Sequence, residues 1–392
     1  MKFSLFDLYL RMQFSEILGQ ESIKNHLIQT AAEGRIPHAQ LFVGPEGSGT
    51  LPMAIAYAQY ILCANTGNEN SNGNASCNLK FQNLVHPDLH FVYPTASAGD
   101  SKPVLSSDFI TEWRAMLKEN MYANLFDWYT ALEIGNKQGF IRVNEAQNIL
   151  KLLSLKAYEG GHKVMIIWMA DRMNPDASNK LLKMLEEPPE KTVFILITEN
   201  EGDIISTIRS RCQVLHFGPI APEVIAAKLE QKLGFEIHAA MKIAHQAQGN
   251  FNRALKLTQS NEEALQFEQW FVQWVRAAFR AKGNASSILE LITWSETIAA
   301  LGRETQKKFL DYCIELFRQA LLLNFQTTEL VYMEPKIDKF KLENFAPFVH
   351  GNNIQDIFTA LSEAIYHIER NGNAKMILTD MSIKLTRLIH KK

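Results

Sequence analysis

Three short stretches of this sequence hold residue types whose spacing could act on a phosphate. The first is Gly44-Pro45-Glu46-Gly47-Ser48-Gly49-Thr50-Leu51. Its glycines stand where a phosphate-binding loop, G-x-x-x-x-G-K-[ST], needs them for backbone N–H groups to approach an anion. The two positions that make such a loop reactive differ. Thr50 replaces the lysine, whose point charge neutralises the β- and γ-phosphates, and Leu51 replaces the hydroxyl that holds Mg²⁺. The second stretch is Val164-Met165-Ile166-Ile167-Trp168-Met169-Ala170-Asp171. In a working nucleotide hydrolase such a strand ends in two acids, one for the metal and one for the attacking water. Trp168 and Met169 fill those positions, and Asp171 reads as a turn or helix-capping residue. A chance glycine-rich turn would account for the first stretch alone. Two losses in one site, with its shape kept, point to a phosphate-loop fold retired from hydrolysis. The third stretch is Ser210-Arg211-Cys212. An arbitrary surface arginine pairs with a nearby carboxylate, but a guanidinium can also make two parallel bonds to phosphate oxygens.

The elements that must position these residues follow from periodicity. Ile23, Leu27, Ile28 and Ala31 predict a helix over 20–33, and Ala39–Val43 is a short apolar strand. Met53, Ala54, Tyr57, Ala58 and Ile61 then predict the helix that a phosphate loop opens. Residues 64–76 are polar and rich in Asn and Gly, and read as an exposed loop, as do residues 94–106. Leu89–Tyr93, Val164–Trp168 and Val193–Ile197 read as strands, and 144–157 and 176–187 as helices, the latter ended by Pro188-Pro189. Strands alternating with helices predict an α/β fold with a mainly parallel sheet. Beyond Pro219 the pattern turns helical: 222–233, 237–248 and 250–258, then almost everything from 262 to 392. Phe267, Trp270, Phe271, Trp274 and Ala278 form one stripe, and Phe309, Cys313, Leu316, Phe317 and Ala320 another. Stripes of this spacing are helix-packing core rather than a cofactor box.

Composition bounds what remains. The chain has 392 residues, 46% of them hydrophobic, which suffices for more than one core. A net charge of −2 does not favour strong independent DNA binding, which needs clustered Lys and Arg. No apolar run is long enough to span a membrane, and Asp7 and Arg11 interrupt what would be a signal-peptide core. The four cysteines, Cys63, Cys77, Cys212 and Cys313, are read as scattered thiols suited to a reducing cytoplasm. Met12 could be an alternative start, so no function is built on residues 1–11.

Asn179-Lys180-Leu181-Leu182-Lys183-Met184-Leu185-Glu186-Glu187-Pro188-Pro189 resembles the signature of the AAA+ clamp-loader subunits of bacterial DNA polymerase III. Thr207-Ile208-Arg209-Ser210-Arg211-Cys212 contains that family's Ser-Arg-Cys motif. Ile36-Pro37-His38-Ala39-Gln40 and His86-Pro87-Asp88 are similar to it as well. The match covers residues 14–217 and, more loosely, the chain through 260. It lies with the branch that combines a degenerate phosphate loop with an intact Ser-Arg-Cys, not with the gamma/tau ATPase branch.

The resemblance implies a RecA-like P-loop AAA+ domain over 12–218, a small helical lid over 219–260 and a helical collar over 261–392 that drives oligomerisation. It implies a subunit of a cytoplasmic, replisome-bound ring that opens a sliding clamp and places it on primed DNA. The expected partners are a gamma/tau-like ATPase and a delta-like subunit. Arg211 would enter the neighbouring subunit's ATP site. Gly249-Asn250-Phe251-Asn252-Arg253 resembles the lid motif whose arginine contacts nucleotide in active relatives, and Arg253 is here read as structural. No ATP is expected on this chain; a divergent ATPase that still binds nucleotide is the alternative. Many relatives bind zinc through four cysteines in the first domain. This chain keeps Cys63 and Cys77 there, without a C-x-x-C pair, and His86 as a possible third ligand, so zinc is not expected.

Overall fold

The computed structural model describes residues 13–63, 75–96, 104–134, 137–159, 161–259, 262–327, 331–333, 335, 337 and 340–391. The chain divides into two units, residues 1–258 and 259–392. In the first, α1 (Glu21–Ala32) leads into β1 (Ala39–Val43) and α2 (Thr50–Cys63), and α3 (Ala75–Gln82) into β2 (Leu89–Val92). Helices α4 (Ile110–Glu119), α5 (Leu125–Ala131) and α6 (Val143–Ser154) precede β3 (Lys163–Ile167). Then come α7 (Pro175–Glu186), β4 (Thr192–Thr198), the single turn α8 (Ser206–Arg209) and β5 (Gln213–His216).

The five strands pair in the order β2-β3-β4-β1-β5, and every pairing is parallel. Strands β1, β3 and β4 are wholly buried, which is why their sequences run continuously apolar rather than alternating. β5 lies at the edge and is half-exposed, so it lacks such a run. The residues β1, β3 and β4 present to one face pack on α2 and α4, and those on the other face pack on α6 and α7.

Two readings of local structure are corrected. Ala75 and Ser76 open α3 instead of ending a loop; residues 64–74 lie outside the described residues, as do 1–11. Helices α4 and α5 occupy a stretch that the sequence reading leaves unassigned. Their signal is present in hindsight: Trp113, Met116 and Leu117 share a buried face, and Asn124 and Asp127 form a reciprocal capping box.

Helices α9 (Pro222–Leu233), α10 (Ile237–Ala247) and α11 (Phe251–Thr258) follow, and their apolar faces join the core on the α2 side of the sheet. These lid helices thus belong to the first unit. The second unit contains α12 (Glu262–Arg280), α13 (Ala285–Ala299), α14 (Arg303–Asn324), α15 (Leu342–Phe345), α16 (Ile354–Glu369) and α17 (Ala374–Leu388). Both aromatic stripes fall in its core. Trp274 stacks on Trp294 with ring centroids 5.1 Å apart and donates its indole N–H to Ser382 Oγ at 2.9 Å. No helix among the described residues is long and apolar enough to cross a membrane.

Candidate functional site

The glycine-rich turn falls between β1 and α2, as a phosphate loop must. Gly47 and Gly49 have φ of 70° and 95°, a left-handed backbone that glycine adopts without steric cost. What lies against the loop is protein. A Cβ built on Gly47 would meet Asn250 Oδ1 at 1.9 Å, and one on Gly49 would meet the Tyr122 ring at 3.3 Å. Asn250 donates to Glu46 at 2.9 Å and caps α11 by accepting the Arg253 N–H at 2.9 Å. The Phe251 N–H bonds the Gly47 carbonyl at 3.2 Å, and the Phe251 ring meets Tyr122 edge-on at 5.0 Å.

A second clasp stands beside the first. Asp127 accepts from Asn252 Nδ2 at 2.8 Å, from Lys256 Nζ at 2.6 Å and from the Asn124 N–H at 3.0 Å. Asn120 donates to Asn252 at 2.6 Å. The start of the lid helix is therefore bonded to the loop and to the α4–α5 corner at once. Arg253 is half-buried in this helix. Sequence reasoning quoted Asn250 and Asn252 in a motif but gave them no partners, and it passed over Asp127 and Tyr122.

Trp168 and Met169 are 2% and 6% exposed. The Trp168 ring packs 5.1 Å from Trp113, in an aromatic group with Tyr93 and Trp128. Met169 takes a left-handed φ of 54°. Asp171 sits in the next turn and accepts from Thr198 Oγ1 at 3.2 Å. Burial raises its pKa, with Arg172 pulling the other way. Together Gly44, Thr50, Leu51, Tyr122, Trp168 and Thr198 help to enclose a cavity of about 30 Å³. That is room for one or two waters, against roughly 300–1,000 Å³ for a small-molecule pocket.

Arg211 lies at the other end of the same strands. β5 runs parallel to β1 with Gln213 beside Gln40 and His216 beside Val43. Arg211, just before β5, is therefore at the end where β1 begins, and the glycine loop is at the end where β1 finishes. At about 3.3 Å per residue the separation is roughly 15 Å, beyond the reach of one arginine side chain. Its guanidinium donates to the Thr207 carbonyl at 2.8 Å and to the Glu186 carboxylate, and the side chain stays 35% exposed. Glu186 closes α7, and His38 bonds the neighbouring Leu185 carbonyl at 3.0 Å. Three separate motifs, Pro37-His38, Leu185-Glu186 and Ser210-Arg211-Cys212, thus meet at one corner. Ser210 donates to Thr207 at 3.2 Å. Cys212 is half-buried, and burial pushes its thiol up to about 11, so it is no nucleophile near neutral pH.

Strand order and the strand–loop–helix unit define a RecA-like P-loop domain of AAA+ type, followed by a helical region. Residues 19–221, about half of the chain, match the family described as "DNA polymerase III, delta subunit". The chain is 25% identical over 317 residues to DNA polymerase III subunit delta' of Bacillus subtilis, covering 80% of this chain and 81% of that one. It is 26% identical over 296 residues to subunit delta' of Escherichia coli, covering 75% and 73%. It is also 25% identical over 259 residues to subunit gamma/tau of Mycoplasma pneumoniae, covering 64% of this chain but 31% of that longer one. The chain belongs to this DNA polymerase III family, as a clamp-loader subunit of the delta-prime type.

Proposed function

We propose that this chain is a non-catalytic clamp-loader subunit that lends Arg211 to the ATP site of a neighbouring gamma/tau-like subunit. One observation carries the reading. Parallel pairing of β5 with β1 sets Arg211 at the end of the sheet opposite the chain's own glycine loop, out of reach of that loop, which supports a role at a site on a neighbouring molecule. There it would meet charge developing on the transferred phosphoryl group, where an always-charged fork is effective. In the single chain the fork rests on Glu186 and Thr207, and engagement exchanges the carboxylate for phosphate oxygens.

The chain's own loop supports the same reading from the other side. Position 50 has no ammonium and position 51 no hydroxyl. Asn250 packs against Gly47 and bonds Glu46. Equilibrium dialysis of the isolated chain with labelled ATP is expected to show no saturable binding below millimolar concentration; tight binding would favour the divergent-ATPase reading. Thr50→Lys with Leu51→Thr is expected to leave turnover at background, because Trp168 and Met169 still replace the metal ligand and the water-activating acid.

The helical second unit is read as the collar that joins the ring, with a delta-like subunit, the sliding clamp and primed DNA reached through the complex in the cytoplasm. A chain ending at residue 258 is expected to fold and to fail to co-elute with the other loader subunits. Full assembly of that truncated chain would remove the collar role.

A further inference from the structure

The first domain of many clamp-loader relatives is expected to hold zinc, and the corresponding region of this chain is built differently. Cys63, the last residue of α2, is joined by a disulfide to Cys77 in α3, closing a 14-residue separation with Cα atoms 5.7 Å apart. This corrects the reading of four scattered thiols; Cys212 and Cys313 remain free. Both bonded cysteines are buried. Beside Cys77 stand His86 and Glu159, with a donor atom of each of the three within 4.8 Å of the others.

A structural zinc wants four ligands, its cysteines as thiolates and its histidine through an unprotonated nitrogen. These residues do not meet those terms. The two sulfurs are bonded to each other. His86 Nδ1 accepts the Asp88 N–H at 3.2 Å, so the neutral ring carries its proton on Nε2, which faces Glu159 Oε2 at 3.3 Å. The other Glu159 oxygen is taken by the Lys80 ammonium, which would repel any cation placed there. Among the described residues no fourth donor completes the set.

We propose that the Cys63–Cys77 bond is a redox-sensitive staple that holds α3 to the end of α2 in place of a metal. It ties the end of α2, the helix that opens at the glycine loop, to α3. From there the hold continues without metal. His86 and Lys80 grip Glu159, and the Asp88 carboxylate accepts the N–H groups of Tyr158 at 2.7 Å and Glu159 at 3.1 Å. Reduction by a dithiol breaks the S–S bond with two electrons and two protons. It leaves two thiols on the chain and a disulfide on the reductant. Only the non-covalent contacts then hold α3.

The test uses the full chain purified without reductant. Thiol titration in denaturant is expected to find two thiols, those of Cys212 and Cys313, and four after reduction. A non-thiol reductant is expected to lower the melting temperature by roughly 5–10 °C and to speed amide exchange across residues 75–82, whereas a strong chelator changes neither. Cys63→Ser with Cys77→Ser should melt like the reduced chain and ignore the reductant. Should that variant fail to fold, peptide mapping for a Cys63–Cys77 cross-link decides the question. Four thiols without reduction, or one tightly held zinc per chain by elemental analysis, would overturn the staple. A melting temperature indifferent to reductant would do the same.

Discussion

The central sheet of the first unit presents two contrasting corners. At the finishing end of β1 stands the glycine loop, with the turn after β3 beside it. There Trp168, Met169, Tyr122 and Asn250 pack into the space, and polar atoms are bonded to one another across the lid. At the starting end of β1, Arg211 stands half-exposed beside the Glu186 carboxylate. Residue by residue, the first corner has Thr50, Leu51, Trp168 and Met169 where a working site has its lysine, hydroxyl and acids, and the second holds an arginine proposed to meet a neighbouring phosphate. The first is held by buried aromatic and apolar packing together with part-buried polar bonds; the second rests on an ion pair that a ligand could exchange. A fold that hydrolyses nucleotide needs a loop and lid free to open and close around it. A subunit that supplies a residue to its neighbour needs a rigid body behind that residue. On the proposed reading, the clasp of Asn250 and Asp127 holds that body together at the glycine-loop end.

The comparison is tested most strongly at Arg211. In the assembled loader, Arg211→Ala is expected to leave folding and assembly intact. It should cut DNA-stimulated ATP hydrolysis and clamp loading by about tenfold or more, below the roughly 10³–10⁵ of arginine fingers in simpler systems. Arg211→Lys should recover part of the loss, since a point charge lacks the planar fork. Wild-type rates in the alanine variant would return Arg211 to an ordinary surface ion pair and erase the contrast.

A second change works on the closed corner. Asp127→Ala removes the bonds to Asn252 and Lys256 and one half of the α5 capping box. It should destabilise the first unit by about 2–4 kcal/mol, read as a lower midpoint in denaturant with the slope unchanged. A loss below about 0.5 kcal/mol would show that the clasp is incidental and the lid held by apolar packing alone.

The smallest effect concerns Asp171. Its folded pKa is raised above 3.8, mainly by burial. The stability linked to its protonated form is complete below the unfolded pKa and is lost as pH rises through the folded one. Above that range the native state carries the cost of a buried carboxylate. Asp171→Asn does not titrate, so its melting temperature relative to wild type should rise with pH across the acid range above 3.8. Parallel melting curves for the two proteins would mean that solvent or Arg172 fully compensates the charge.

Much of this molecule is legible in one dimension, and particular residues show why. Ala39–Val43, Val164–Ile167 and Val193–Ile197 announce central strands because burial on both faces favours apolar residues at nearly every position, buried Gln40 being the exception. The phosphate loop and its missing groups at Thr50, Leu51, Trp168 and Met169 are equally plain, since that chemistry is defined by residue type at fixed spacing. β5 is hidden because an edge strand needs only one covered side. Helices α4 and α5 are easily passed over because their apolar faces are short, Trp113, Met116 and Leu117 in one and Trp128 and Tyr129 in the other.

Three matters were settled only by the tertiary structure, for a common reason. That Asn250 packs against Gly47, that Cys63 bonds Cys77, and that Arg211 lies at the far end from its own glycines all depend on which elements become neighbours. Periodicity reports how a segment meets its own core face. It carries no record of what lies on the other side of that contact. Residue types alone carry four of the five strands, the order of the motifs and the absence of a lysine and an acid pair. The parallel register of β5 on β1, through hydrogen bonds between residues more than 170 apart, sets Arg211 at the end of the sheet away from the glycine loop.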